Sequence, residues 1–172
     1  IVAYGFRRVI LCVGYRADSI KAHFASRTDC RILFSEEPRP LGTAGALRLS
    51  VPLMKAPTGL VFNGDSYCPI DAAALIDFHR RKEAIGTLAL LPAAEGRAGG
   101  VVTVDEHDRV TEFVEKPAPS VSGHFNAGIY VFERRAFDVI PEATACSLEM
   151  DVLPSLRPHL YGFHMEAPLY DI

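Results

Sequence analysis

No Cys-x-x-Cys pair and no His-x-x-x-His spacing occurs among the four cysteines and six histidines of this 172-residue chain. Cys12, Cys30, Cys68 and Cys146 are too scattered for a zinc framework, which draws its ligands from closely spaced pairs. Four free buried thiols suit a reducing compartment, so the cytoplasm is expected. No apolar run approaches the roughly 20 residues of a membrane span, and no signal peptide is visible. Lys and Arg number 18 against 21 Asp and Glu and are dispersed along the chain, for a formal charge of −3. Such a balance offers no nucleic-acid surface. Neither a membrane nor a nucleic acid is therefore expected among the partners. Internal repeats, low-complexity segments and linkers are also lacking.

What is present is an ordinary globular composition, 49% hydrophobic and 23% charged, in a length suited to one domain spanning 1–172. Over the first half, strand-like runs alternate with helical patterns. RRVILCVGY, RILFSEE, LVFNGD and AIGTLALLPA read as strands. ADSIKAHFAS, TAGALRLSVPLM and DAAALIDFHRRKE read as helices, with Asp18 or Ser19 near the start of the first and Asp71 as N-cap of the last. Such alternation predicts parallel pairing with helices on both faces of an open α/β sheet. The second half changes style. GGVVTVDEHDRVTEFVEKP predicts a hairpin turning at His107-Asp108. FNAGIYVFERRAF predicts a strand running into a helix, SLEMDVLPSL a short amphipathic helix opened by Ser147, and YGFHMEAPLYDI two final strands. IVAYGFRRV reads as the last turn of a helix closed by Gly5. With an abrupt stop after Asp171 as well, the expectation is a domain truncated at both ends.

Ligands of open α/β sheets gather beyond the carboxyl ends of the strands. Asp65 is expected there, at the end of GLVFNGD, where Gly64 allows a sharp turn. A carboxylate at that place suits Mg2+, although a capping Asp is the plainer reading; Asp71 already fills the capping role. In PLGTAGAL, Gly42 and Gly45 remove side chains where a helix begins, and Thr43 is available to cap it. Exposed amides and bare alpha-carbons there would let a flat ring or a phosphate approach the backbone. In FVEKP, Glu115 suits sugar hydroxyls and Lys116 a phosphate, while an exposed ion pair is the default for a lone Glu-Lys-Pro. Asn126 and Gly128 interrupt FNAGIYVF, which predicts a backbone lying against a ligand or another chain. Asp171 ends a further apolar strand, so Asp65 and Asp171 together could grip one divalent cation. His159, His164 and Glu166 read as structural, and Glu36 and Glu37 receive no role.

Taken in order, LGTAGAL, NGD, a Gly-Val-Val hairpin ending in EKP, NAGIY, SLE-D-LP and a terminal YDI resemble the sugar-1-phosphate nucleotidylyltransferases. The match runs along essentially the whole chain and looks most like the mannose-1-phosphate and D-glycero-D-manno-heptose-1-phosphate guanylyltransferases. The resemblance implies a Rossmann-like open mixed sheet with helices on both faces, of nucleotide-diphospho-sugar transferase type. It also implies Mg2+ and two substrates, a nucleoside triphosphate and a sugar 1-phosphate. By the same resemblance Asp65 and Asp171 are metal ligands, and Gly42, Thr43 and Gly45 line the nucleotide site. Glu115 binds sugar hydroxyls, Lys116 the sugar phosphate, and Gly100 lies against the sugar with Asn126 and Gly128 nearby. The family is often dimeric or larger, which is compatible with a homo-oligomer. Its Gly-rich N-terminal strand and loop, with an arginine, should precede Ile1, so the piece as it stands is expected to be weak or inactive. A metal-dependent glycosyltransferase and a non-catalytic nucleotide-sugar-binding domain are the competing readings.

Overall fold

The computed structural model describes residues 2–92, 100–115, 122–142 and 144–171, with the backbone alone at 171. A 3-10 turn over Val2–Tyr4 is closed by Gly5, whose amide donates to the Val2 carbonyl. Strand β1 (Arg8–Val13), helix α1 (Ala17–Phe24) and strand β2 (Arg31–Glu36) follow, and the two strands pair in parallel, as the alternation predicts.

Helix α2 (Gly42–Ser50) leads to β3 (Thr58–Phe62), and the two-residue β4 (Ser66–Tyr67) leads to α3 (Ala72–Arg81). Asp71 does cap α3, its carboxylate accepting from the Ala74 amide at 2.9 Å. Next come β5 (Gly86–Pro92), β6 (Val101–Val104), β7 (Val110–Val114) and β8 (His124–Glu133), the last running into a 3-10 helix over Arg134–Val139. Ser147 opens a π-helical turn, Leu148–Val152, that passes into α4 (Leu153–Leu156). Strands β9 (Leu160–His164) and β10 (Tyr170–Asp171) complete the order.

The sheet is mixed, as the family resemblance implies, and the parallel pairing expected of the first-half strands holds for β1 and β2 but not for β3 and β5. β3 and β5 do not pair with each other; β8 lies between them, antiparallel to both. β5 pairs in parallel with β9, and β6 joins β8 and β7 by antiparallel ladders. A six-stranded mixed sheet results, with β1–β2 and β4–β10 as separate two-stranded pieces. The late strand β8 can take the central place because it is the longest strand, and its residues from Ala127 to Phe132 are buried on both faces.

Each face of β8 serves its own core. Tyr130 and Phe132 pack with Leu88, Leu90, Leu153 and the 3-10 residue Phe137 on one side. Ile129 and Val131 pack with Ala89, Leu91 and Leu75 of α3 on the other. Each fully buried Leu, Ile or Phe in these layers contributes roughly 1.5–3 kcal/mol. Helices therefore cover both faces, and the carboxyl ends of β3, β5 and β9 share one edge with the start of β8.

The β6–β7 hairpin turns where the sequence predicts. The Asp105 carboxylate accepts from the His107 and Arg109 amides, and Asp108 adopts a left-handed backbone. Lys82, the C-cap residue of α3, holds the tip, donating to the His107 carbonyl at 2.7 Å and pairing with Asp108 at 3.0 Å. The other end of the hairpin is thereby set against the start of β8.

Candidate active site

The joint Asn63-Gly64-Asp65 is fastened to β8 rather than left loose. The Asn63 amide donates to the Gly128 carbonyl at 2.9 Å. Gly128 has φ +70°, and a Cβ there would stand 2.6 Å from Nδ2 of Asn63. The side of Gly128 that a Cβ would occupy is thus filled by Asn63 of the same chain. This contact aims the chain so that Asp65 emerges exposed at the sheet edge. β4 then pairs antiparallel with β10, Tyr67 opposite Tyr170 and Ser66 opposite Asp171, with the two tyrosine rings stacked at 6.3 Å. The backbone of Asp171 thus lies opposite the residue next to Asp65.

PLGTAGAL behaves differently from its reading as an open backbone. Thr43 does not cap α2: its hydroxyl accepts from the Leu148 amide at 2.7 Å and donates to Oε2 of Glu149 at 3.0 Å. The amides of Ala44 and Gly45 donate to the Cys146 carbonyl, and the Cys146 amide returns a bond to the Leu41 carbonyl. A Cβ on Gly42, which has φ +70°, would stand 2.6 Å from that same Cys146 oxygen, and one on Gly45 2.7 Å from the Thr144 oxygen. The space beside both glycines is therefore filled by segment 144–146, which removes those helix amides from any phosphate. Glu37 supports the entry to the helix by accepting from the Leu41 amide at 2.8 Å.

The third group of residues does come together. The Asn126 amide donates to the Gly100 carbonyl at 3.0 Å, and a Cβ on Gly100 would lie 2.9 Å from a carboxylate oxygen of Glu115. Asn126 is oriented at both ends of its side chain: Oδ1 accepts from the Gly128 amide at 3.2 Å and Nδ2 donates to the Tyr130 hydroxyl at 2.7 Å. That hydroxyl donates onward to Oε1 of Glu149 at 3.3 Å. Burial, and then the nearby carboxylate of Glu149, push the Tyr130 hydroxyl well above the usual tyrosine range, so it stays a donor. Lys116 lies outside the described residues.

Along the same edge, a cavity of about 350 Å³ is lined by Leu90, Pro92, His124, His164, Met165 and Glu166. The His124 ring meets His164 edge-on at 4.4 Å, and burial, with His164 beside it, pushes the His124 imidazole below its ordinary value. Among the described residues no group of three or more His, Cys, Asp and Glu side chains could hold a metal ion.

This edge brings NGD, the Gly100 hairpin base and NAGIY into one place on an open mixed α/β sheet. Residues 1–156 match the family model for nucleotidyl transferases. The chain belongs to that nucleotidyl transferase family. Among its relatives, a mannose-1-phosphate guanylyltransferase of Mycobacterium tuberculosis is 39% identical over 169 residues, covering 95% of this chain and 47% of that protein. The catalytic subunit beta of the Drosophila melanogaster mannose-1-phosphate guanylyltransferase is 34% identical, covering 100% of this chain and 48% of its own length. The chain thus spans about half the length of the curated relatives it matches. Of solved structures, HddC from Yersinia pseudotuberculosis superposes with a TM-score of 0.88 at 26% identity, covering 99% of this chain and 75% of that one. The same protein complexed with GMP-PN gives 0.87.

Two residues that tie this edge together, Asn63 and Glu149, receive no role from the sequence. Both stand inside motifs that carry the family resemblance, NGD and SLE. Nothing in one sequence reports that Asn63 meets Gly128, or that Glu149 meets Thr43 across 106 positions. Among the described residues no helix is long and apolar enough to cross a membrane.

Proposed function

We propose that this chain is the part of a cytoplasmic sugar-1-phosphate nucleotidylyltransferase that joins the two substrates. It would transfer a nucleoside monophosphate, from GTP by preference, to a mannose or manno-heptose 1-phosphate. The observation that carries this reading is the convergence at one sheet edge of Asp65, the Gly100–Glu115 hairpin base and Asn126. That convergence sits in a chain whose relatives are named mannose-1-phosphate guanylyltransferases and whose structural neighbour was solved with GMP-PN.

In the reaction an oxygen of the sugar phosphate attacks the alpha-phosphorus of the triphosphate. The new phosphorus–oxygen bond forms as the bond to the beta-phosphate oxygen breaks, and pyrophosphate departs with that electron pair. No side chain forms a covalent bond, so the chain contributes by positioning and by matching charge. Glu115 would accept from sugar hydroxyls, its carboxylate and the Phe113 ring packed against the bare alpha-carbon of Gly100, and Lys116 would meet the sugar phosphate. Asn126, held at both ends, presents its amide in a fixed direction. The exposed end of α2 at Gly42 and Thr43 would face the nucleotide, with Gly45 supporting it from inside through its packing on Thr144.

The strand-end carboxylates fit Mg2+. Asp65 is exposed, Asp171 belongs to the strand paired beside it, and both offer hard oxygen donors. Asp65 and Asp171 would be the protein residues that hold the ion. When bound, it would supply charge to offset that on the phosphates. A homo-oligomer is compatible with this reading.

The test uses a protein of the relatives' full length, with Mg2+ and a panel of nucleoside triphosphates and sugar 1-phosphates, followed by pyrophosphate release. Release with GTP and a manno-configured hexose or heptose 1-phosphate is the expected result. Silence across the panel, from folded protein that still binds a nucleotide sugar, would favour a non-catalytic binding domain.

A further inference from the structure

The nucleotide side and the sugar side of the proposed site are built from distant parts of the chain, PLGTAGAL and NAGIY. Something must fix the distance between them, because a misplacement of about 1 Å at reacting groups can cost 100-fold in rate. The side chain of Glu149, in the π-helical turn Leu148–Val152, hydrogen-bonds to both segments. π-Helical turns of this kind recur at functional sites. Its Oε2 accepts from the Thr43 hydroxyl at 3.0 Å and from the Ser147 hydroxyl at 3.1 Å, and its Oε1 accepts from the Tyr130 hydroxyl at 3.3 Å.

The direction of every bond is set by its neighbour. Thr43 accepts from the Leu148 amide, which leaves its own proton for Glu149. Tyr130 accepts from Nδ2 of Asn126, which leaves its proton for the other oxygen of the same carboxylate. Donors thus converge on Glu149 from both sides of the site, each chain ending on its own oxygen of the carboxylate. With both oxygens taken by hydroxyls, this carboxylate has a different task from that of Glu115.

We infer that Glu149 is a positioning residue, whose carboxylate sets the α2 end of the site against Asn126 through Thr43 on one side and Tyr130 on the other. The inference rests on the transferase reading above. A purely structural tie would lower stability and leave the kinetic constants alone, whereas a positioning residue moves the constant of the substrate on the side that is cut.

The experiment measures KM for each substrate, kcat and thermal stability in the full-length protein and four variants. Tyr130→Phe keeps the buried ring and removes one arm; KM for the sugar 1-phosphate should rise about tenfold with that for the triphosphate within about twofold. Thr43→Val removes the other arm and should do the reverse. Glu149→Ala should raise both and lower kcat. Glu149→Gln has one acceptor oxygen, so it should restore the Thr43 arm, with the triphosphate constant recovering while the sugar constant stays high. Unchanged kinetic constants in Tyr130→Phe and Glu149→Ala, with only a lowered melting temperature, would overturn the role of Glu149 alone. Silence of the unmodified protein with every substrate pair would overturn the transferase reading and this inference together.

Discussion

Strand β8 carries a polar cluster toward each end, and the two are built in opposite ways. At the far end Glu133 accepts from the Thr58 hydroxyl at 2.7 Å and faces Nε2 of His79 at 3.4 Å, while Nδ1 of His79 meets the Thr87 hydroxyl at 2.8 Å. These partners sit on β3, β5, α3 and β8, all in regular conformation, with Thr87 and His79 almost fully buried. At the site end the partners are Asn126, Tyr130, Glu149 and Thr43, and irregularity surrounds them. Gly128 and Gly42 have positive φ, the β5–β8 register shifts between Leu88 and Leu90, and a π-helical turn supplies the carboxylate. A closed polar cluster satisfies buried groups and holds strands together. An irregular one spends regular pairing to aim side chains at an edge.

The contrast is broken most directly by two substitutions read in both assays. Asp65→Asn, at the exposed edge, should reduce turnover of the full-length protein by about 100-fold or more, with melting shifted by no more than about 2 °C. Normal turnover would remove Asp65 from the metal site. Next in size, Gly42→Ala forces a Cβ into a left-handed backbone and against the Cys146 carbonyl, for a loss of about 3 kcal/mol. Chemical denaturation of the chain measures that loss, and a change below about 1 kcal/mol would mean that segment 144–146 yields freely.

At the far end, Glu133→Ala leaves the Thr58 hydroxyl and His79 without their shared acceptor, which should lower stability by about 2 kcal/mol. The kinetic constants should stay within about twofold of the unmodified protein. A tenfold loss of kcat with unchanged melting would reverse the assignment of the two ends.

Elements with their own periodicity or capping residue were legible in the sequence: the β6–β7 hairpin, α3 with Asp71, and the turn opened by Ser147. Burial patterns report which residues lie inside but not which strand lies beside which. The place of β8 between β3 and β5 was therefore not to be read from alternation. The candidate site was legible as a set of motifs, through the family resemblance that their order along the chain carries. Its wiring was not. Gly42 and Gly45 read as openings for a ligand because a single sequence shows an absent side chain but not what fills the space, here the carbonyls of Thr144 and Cys146. Thr43 read as a cap because its position suits one, yet its hydroxyl is engaged by Leu148 and Glu149.

The smallest effect is read by acid, chiefly at the far end. Burial pushes the His79 imidazole below its ordinary value of 6.5, against the opposing pull of the Glu133 carboxylate and with a lesser push from Arg80. A lowered folded pKa means that the unfolded chain binds the proton more readily than the folded one. Stability contributed by neutral His79 is thus complete above about pH 6.5 and is lost as pH falls from there toward the folded value. His124, also lowered by burial, adds in the same direction. Denaturation midpoints measured between pH 7.5 and 5.5 should therefore fall toward acid, and His79→Gln should flatten the slope by the share belonging to His79. Glu133→Ala should steepen it, because the carboxylate that favours the imidazolium is gone and burial acts unopposed. A slope unchanged by either substitution would mean that His79 does not titrate in this range, and that the far-end cluster holds its strands by hydrogen bonds alone.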